Sequence, residues 1–151
     1  MERFQRIAPI TARIMLGLIF TVFGLNGLFH FAPTPAPTPA GAAFLGAMAA
    51  SHYLIPLIKG TEIIAGIMLL SNRLVAFALV LLAPIVVNIV AFHTYLDPGG
   101  RPVAFTVLTL GLGLAWNQRA AYRSLFTSEP SKQRAQVVVD EAVARKQMAL
   151  T

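Results

Sequence analysis

The chain has 151 residues, of which 56% are hydrophobic and 12% charged, and its formal net charge is +6. A soluble domain carries about 25% charged residues, so this composition excludes a protein whose whole surface faces water. Its apolar content excludes an intrinsically disordered chain. The sequence contains no cysteine, which excludes disulfides, thiolate zinc sites and covalently attached c-type haem. We therefore expect a membrane protein.

Four apolar stretches approach or exceed the roughly 20 residues that a helix needs to cross a bilayer. They cover about residues 10–31, 54–70, 74–95 and 103–122. None of them alternates as a strand does, and backbone groups in lipid must be paired within their own segment. The predicted fold class is therefore all-α, a polytopic membrane protein with a bundle of four transmembrane helices. The first stretch exceeds the apolar core of a signal peptide, about 7–15 residues, so we expect it to be retained.

The connection after the first stretch has two parts. Residues 32–40 read APTPAPTPA, which predicts an extended, polyproline-like strap. Residues 42–51 are apolar but too short to span a membrane, and they predict a short helix at the outer surface. After the fourth stretch, the apolar spacing from Ser128 onward predicts an amphipathic cytoplasmic helix. Residues 1–122 are thus predicted to form the membrane domain and 123–151 a basic tail.

The distribution of arginine and lysine predicts the orientation. These residues are concentrated before the first stretch, between the second and third, and after the fourth, while the other two connections hold only Arg101. By the positive-inside rule, we expect both termini to lie in the cytoplasm. The positive charge also predicts attraction to anionic lipids rather than to nucleic acid.

Strongly polar side chains of the first three stretches lie toward the predicted outer ends. At about 1.5 Å per residue, Asn26, Asn88 and Glu62 lie roughly 8, 10 and 12 Å deep, respectively. Lys59 lies about 8 Å deep, and His30 and His93 lie near the interface. Ionisable groups within a span are costly and usually mark a functional site. The pattern predicts a polar pocket in the outer leaflet.

Helical spacing predicts which of these side chains share a face. Asn26 and His30 are four residues apart and are expected to share a face, as are Lys59 and Glu62 at a spacing of three. Asn88 and His93 are five apart, about 140° around a helix. We expect Asn88 to face inward and His93 to lie at a boundary.

Glu62 is too deep and too short to reach water, so it needs a partner or a proton, and Lys59 is the nearest candidate. A structural alternative is that Lys59 extends to the outer headgroups, while Asn26 and Asn88 form hydrogen bonds that link helices. The functional interpretation is that the carboxyl, imidazole and amide groups bind a quinone headgroup, which needs hydrogen bonds and proton transfer.

Haem is a less suitable cofactor for the predicted pocket. His30 and His93 are candidate axial ligands on neighbouring helices, but their depths and facings do not match. The sequence contains no convincing ligand set for zinc or iron, so no metal is predicted.

Three segments carry a family resemblance: FGLNGLFHF (23–31), PLIKGTEIIAGIMLLSNR (56–73) and LLAPIVVNIVAFHTYLDPGG (81–100). They closely resemble the DoxX-like family of small four-helix bacterial membrane proteins, which is named for a subunit of a thiosulfate:quinone oxidoreductase. The resemblance covers about residues 10–122 and implies an inner-membrane protein connected with quinone-linked redox or redox homeostasis. Carried over by position, it points to Asn26, His30, Lys59, Glu62, Asn88 and His93.

The resulting hypothesis is a membrane component of a quinone-linked oxidoreductase system, and whether the chain itself is catalytic is left open. Glu62 is predicted to exchange protons, Lys59 to be its electrostatic partner and His30 to donate or relay a proton. Asn26, Asn88 and His93 are predicted to bind the cofactor. The expected partners are membrane lipids and a redox subunit or a second copy of the chain. The alternatives are a non-catalytic assembly factor or membrane chaperone, and a small transporter or lipid-binding protein.

Overall fold

A computed structural model describes residues 2–126 and 140, and the side chains of residues 7–122 and 140. Within that part the protein is helical without strands, as predicted. The helices are α1 (Glu2–Phe29), α2 (Pro39–Ala50), α3 (Leu54–Leu70), α4 (Val75–Tyr95), α5 (Arg101–Asn117) and α6 (Arg119–Phe126), with a 3₁₀ turn at Pro98–Gly100. The tail helix predicted from Ser128 onward falls outside the described residues.

The chain divides into two compact units, Met1–Gln118 and Arg119–Thr151. The first unit contains α1 to α5, and α6 belongs to the second. The predicted division at residue 122 stays a prediction.

Four helices of the first unit surround one apolar core. Helix α1 packs against α3 and α5, and α4 packs against the same two helices. The core residues come from all four helices: Leu16, Phe20, Ala65, Leu69, Val75, Ala78, Leu79, Leu82, Val107 and Leu114. The outward-facing side chains are also largely apolar, including Phe23, Val87 and Leu112. Such an exposed surface is typical of contact with lipid or with another protein.

Helices α1 and α3 approach each other unusually closely along a seam of small residues. A Cβ atom added at Gly66 would lie 2.8 Å from the Thr21 backbone nitrogen, and one at Gly17 would lie 2.8 Å from Leu70 Cγ. Further along α1, a Cβ at Gly24 would lie 2.8 Å from Ile63 Cγ1. The pairing order shows that the two helices are antiparallel. Small residues at such positions allow backbones to pack in direct contact.

Among the helices that the structure describes, two are long and apolar enough to cross a membrane, Ile7–Phe29 within α1 and Val75–Tyr95. A third span results if α2 and α3, which meet at a bend of 94°, are counted as one broken or re-entrant segment. Helices α3 and α5 have 17 residues each, fewer than the roughly 20 that a straight span needs. The chain therefore has the helices of a membrane-associated protein.

The fourth predicted stretch is shorter than expected. It was predicted to extend to residue 122, but α5 ends at Asn117, and Gln118 closes it by donating its backbone N–H to the carbonyls of Leu114 and Ala115. The sequence Asn117–Gln118–Arg119 brings three polar residues together at this point. The remaining residues of the predicted stretch, from Arg119 to Tyr122, belong to α6.

Candidate functional site

The charged pair of α3 is the centre of the candidate site. Lys59 Nζ lies 2.8 Å from Glu62 Oε2 and 3.1 Å from Oε1, so the predicted contact between these residues is present. Glu62 is almost fully buried, with 3% of its surface exposed, whereas the Lys59 side chain is 27% exposed. The three-residue spacing places both side chains on one face of the helix.

Glycines of α1 make room for this pair. A Cβ at Gly27 would lie 2.6 Å from Lys59 Cε, and one at Gly24 would lie 3.2 Å from Glu62 Cβ. The Lys59 side chain therefore extends across the position of Gly27, and α1 covers the Glu62 side of α3. The region where the carboxyl-terminal end of α1 meets the amino-terminal end of α3 is called the Glu62 end below. The repeated three-residue spacing, in Gly24–Gly27 and Lys59–Glu62, was the available sequence signal for this contact.

Asn26 closes the end of α1. Its side chain is buried, Oδ1 accepts the Ala32 N–H at 2.7 Å, and Nδ2 donates to the Ala32 carbonyl at 3.1 Å. These two bonds hold the start of the strap against the helix. The Asn26 amide therefore has partners within its own loop.

His30 does not share a helical face with Asn26. Helix α1 ends at Phe29, and His30 is in the left-handed region with φ 51°. Its side chain is exposed. The prediction of a shared face was wrong because the i, i+4 argument holds only while the helix continues.

His93 belongs to a cluster at the end of α4. Its Nδ1 lies 2.9 Å from the Asp97 carbonyl oxygen and 3.7 Å from the Asp97 carboxylate. Because a carbonyl oxygen can only accept, the first contact requires a proton on Nδ1. Asp97 Oδ1 also accepts the Thr38 N–H at 3.3 Å, and the Thr38 hydroxyl donates to the Leu96 carbonyl. This cluster fastens the far end of the strap to α4.

Asn88 faces away from the core, so the inward orientation predicted for it was wrong. Helix α4 buries Ala78 and Leu82, and the same face continues through the half-buried Ile89 to His93. Asn88 lies outside that face and is exposed. The sequence of α4 is apolar on all sides, so its pattern gave no direction for the core.

Of the six predicted site residues, only Lys59 and Glu62 are seen in direct contact. The polar groups of Asn26 and His93 bond to backbone next to their own helices, and Asn88 points outward. The Lys59–Glu62 pair can hold a proton and, through the partly exposed lysine, exchange it with the surface. Within residues 7–122 and 140, no group of three or more histidine or acidic side chains could hold a metal ion.

Arg13 occupies the opposite end of the α1–α3 seam. Its Nη1 donates to the Leu69 carbonyl and, at 3.3 Å, to the Leu70 carbonyl, so it caps the end of α3. A cavity of about 140 Å³ opens beside it, lined in part by Asn72 and Asn117. The charge pattern of the sequence gave no indication of this structural role of Arg13.

Comparison with known proteins identifies a bacterial relative of this chain. The chain is 31% identical over 133 residues to the uncharacterized protein YwoB of Bacillus subtilis (strain 168), and the alignment covers 83% of this chain and 86% of YwoB. No family model matches the sequence, and no solved structure matches it.

Proposed function

The chain belongs to the same family as YwoB of Bacillus subtilis, and we propose that it is a four-helix inner-membrane component of a quinone-linked oxidoreductase system. In this proposal α1, α3, α4 and α5 cross the bilayer, with α2 at the outer surface and both termini in the cytoplasm. The Glu62 end then lies within the outer leaflet. The DoxX-like sequence features and the placement of arginine and lysine support this arrangement.

The observation that carries the proposal is the buried Lys59–Glu62 pair. Ionisable side chains inside a membrane helix cost several kcal/mol by insertion measurements and are kept mainly where they serve a function. Here Gly24 and Gly27 provide the space that the pair occupies. A quinone bound beside it would supply reversible two-electron, two-proton chemistry, with the electrons coming from a partner redox subunit.

The residues at the Glu62 end fit the requirements of a quinone headgroup. Lys59 Nζ has donor capacity beyond its bond to Glu62 and is partly exposed. The carboxyl group of Glu62 can hold a proton or release it next to that ammonium group. His30, exposed at the end of α1, is placed to exchange protons with water. Lys59 therefore serves to orient the headgroup, and Glu62 serves to exchange the proton.

Ligand extraction tests the proposal. The full chain is purified in mild detergent, its bound lipids are extracted, and quinone is quantified per mole of protein. We expect quinone in the unaltered chain and about tenfold less in Glu62→Gln, the effect of losing one hydrogen bond to a charged group. Asp140→Asn, which removes an exposed carboxylate, is the matched control and should retain its quinone. Quinone absent from the unaltered chain, or equal in Glu62→Gln, contradicts the proposal.

A non-catalytic assembly factor is the second candidate, and a specific observation favours it. Both carboxylate oxygens of Glu62 already contact Lys59 Nζ, and the side chains of Asn26 and His93 are bonded to backbone. Polar groups satisfied in this way can serve to specify helix packing alone. For this function, Glu62→Gln should leave the extracted lipids unchanged and abolish capture of a partner protein in a pull-down.

A further inference from the structure

One face of α4 is exposed along most of the helix. It consists of Val80, Pro84, Val87, Asn88, Ala91 and Tyr95 and is called the Asn88 face below. Val87 and Tyr95 are 66% and 83% exposed. These residues recur at helical spacing on the side opposite the core. The face is therefore continuous and uncovered in the single chain.

Asn88 is out of place on this face if only lipid surrounds it. Counting about 1.5 Å per residue from Tyr95, its amide lies roughly 10 Å inside the end of the span. No hydrogen bond joins its side chain to another residue of the described chain. An amide group that enters hydrocarbon without a hydrogen-bond partner carries a substantial free-energy cost.

A second polar group lies along the same face. Pro84 has no N–H to donate to the carbonyl of Val80 one turn earlier. Ala91, one turn beyond Asn88, is small enough to let another helix approach closely. The Asn88 face thus combines an unpaired amide, a carbonyl to which Pro84 cannot donate and a small residue, features that favour association of helices in membranes.

We propose that two copies of the chain pair along the Asn88 face, with the Asn88 amides of the two copies hydrogen bonded to each other. An amide carries both a donor and an acceptor, so it is complementary to itself. Copies inserted in the same orientation are related by a two-fold axis along the membrane normal, which brings a residue opposite its own counterpart at equal depth. A second copy therefore satisfies Asn88 at the depth where it lies. The inference rests on the proposed membrane placement of α4 and is independent of quinone chemistry at Glu62.

Because the chain contains no cysteine, disulfide crosslinking in native membranes tests the pairing. Ala91→Cys places a thiol on the Asn88 face. Phe23→Cys places one on the exposed side of α1, roughly 6 Å deeper by the same count, and is the control. On oxidation we expect Ala91→Cys to form a covalent dimer and Phe23→Cys to form at least fivefold less of it. This ratio corresponds to the free energy of about one interhelical hydrogen bond.

Adding Asn88→Leu to Ala91→Cys should reduce the crosslinked dimer about threefold to tenfold, the range expected for one interhelical hydrogen bond. Asn88→Gln, which keeps an amide, should restore part of it, and circular dichroism should show that both variants stay helical. Equal crosslinking of the Ala91 and Phe23 variants, or crosslinking unaffected by Asn88→Leu, overturns the inference.

Quinone extraction from the same samples separates this inference from the proposed function. If Asn88→Leu removes quinone and leaves crosslinking unchanged, the amide faces a ligand and the pairing is overturned. If the unaltered chain contains no quinone but its crosslinking depends on Asn88, the pairing stands and the quinone proposal fails.

Discussion

Polar side chains have partners in the α1–α3 seam, whereas the polar side chain on the Asn88 face of α4 has none in the described chain. In the seam, Glu62 is buried and its charge is paired within the same helix, and Arg13 caps α3 at the other end. On α4, Asn88 is exposed and its amide has no partner in the described chain. The difference follows from the glycines, because Gly24, Gly27 and Gly66 bring the backbones of α1 and α3 together. The seam is complete in one copy, and the α4 face is not.

The largest expected effect tests whether the seam depends on its charged pair. Lys59→Met leaves Glu62 buried without its counter-charge, and loss of one member of a buried pair costs about 3–5 kcal/mol. We expect the free energy of unfolding, measured by denaturation in mixed micelles, to fall by that amount.

The double variant Lys59→Met/Glu62→Met is the control for that measurement. Replacing a whole buried pair with apolar side chains is often close to neutral, so most of the lost stability should return. If the double variant is as unstable as Lys59→Met alone, Lys59 does not stabilise the fold through its pairing with Glu62.

The next effect tests the close approach of the two backbones. Gly66→Ala places a methyl group 2.8 Å from the Thr21 nitrogen and 3.0 Å from the Gly17 carbonyl oxygen, and such overpacking typically costs about 1–3 kcal/mol. Gly60→Ala in the same helix meets no atom within 4 Å and should be neutral or stabilising. Equal effects of the two variants on unfolding would show that the seam tolerates separation.

The same change, asparagine to leucine, can be made at the Glu62 end and on the Asn88 face. Asn26→Leu removes two hydrogen bonds to Ala32, and at about 1 kcal/mol per bond or less we expect a loss of roughly 1–2 kcal/mol. Asn88→Leu should leave the unfolding free energy of the monomer unchanged, because no bond within the described chain is lost. Measurements at a high ratio of detergent to protein keep association out of the result. A loss of stability for Asn88→Leu under those conditions would show that the Asn88 side chain is bonded within the single chain, contrary to the structure.

The smallest effect has the opposite sign and lies at the start of α4. Leu74 is exposed and has φ 54°, a left-handed conformation that costs a leucine about 1–2 kcal/mol. Leu74→Gly relieves this strain but adds freedom to the unfolded chain, so we expect a net gain of about 0.5 kcal/mol. The control is Leu57→Gly, at an exposed position inside α3, which should destabilise. Loss of stability in Leu74→Gly would mean that its side chain makes a contact worth more than the strain.

Local features of the sequence predicted the helices well where turn residues interrupt the apolar runs. The second stretch, predicted at 54–70, is α3 itself, and the third begins one residue later than predicted because Leu74 still belongs to the turn after Ser71–Asn72–Arg73. The Lys59–Glu62 contact was predictable for the same reason, since a three-residue spacing needs only a helix.

Contacts between distant segments were not predictable in this way. The facing of Asn88 requires knowing which side of a uniformly apolar helix meets the core, and the partner of Asn26 requires knowing how the chain turns after Phe29. For the seam, a signal was present in the sequence, because the spacing of Gly24 and Gly27 in α1 matches that of Lys59 and Glu62 in α3. The membrane orientation, the number of spans and the quinone stay predictions.

The proline-rich strap is held at both ends, at Ala32 by Asn26 and at Thr38 by Asp97. The residues between them, Pro-Thr-Pro-Ala-Pro, resist shortening because proline-rich chains behave as semi-rigid spacers. The strap therefore sets a fixed separation between the last turn of α1 and the last turn of α4. Adding or removing one residue within the strap would shift one helix end relative to the other by about 3 Å. The packing of α1 and α4 therefore restricts the number of residues in the strap.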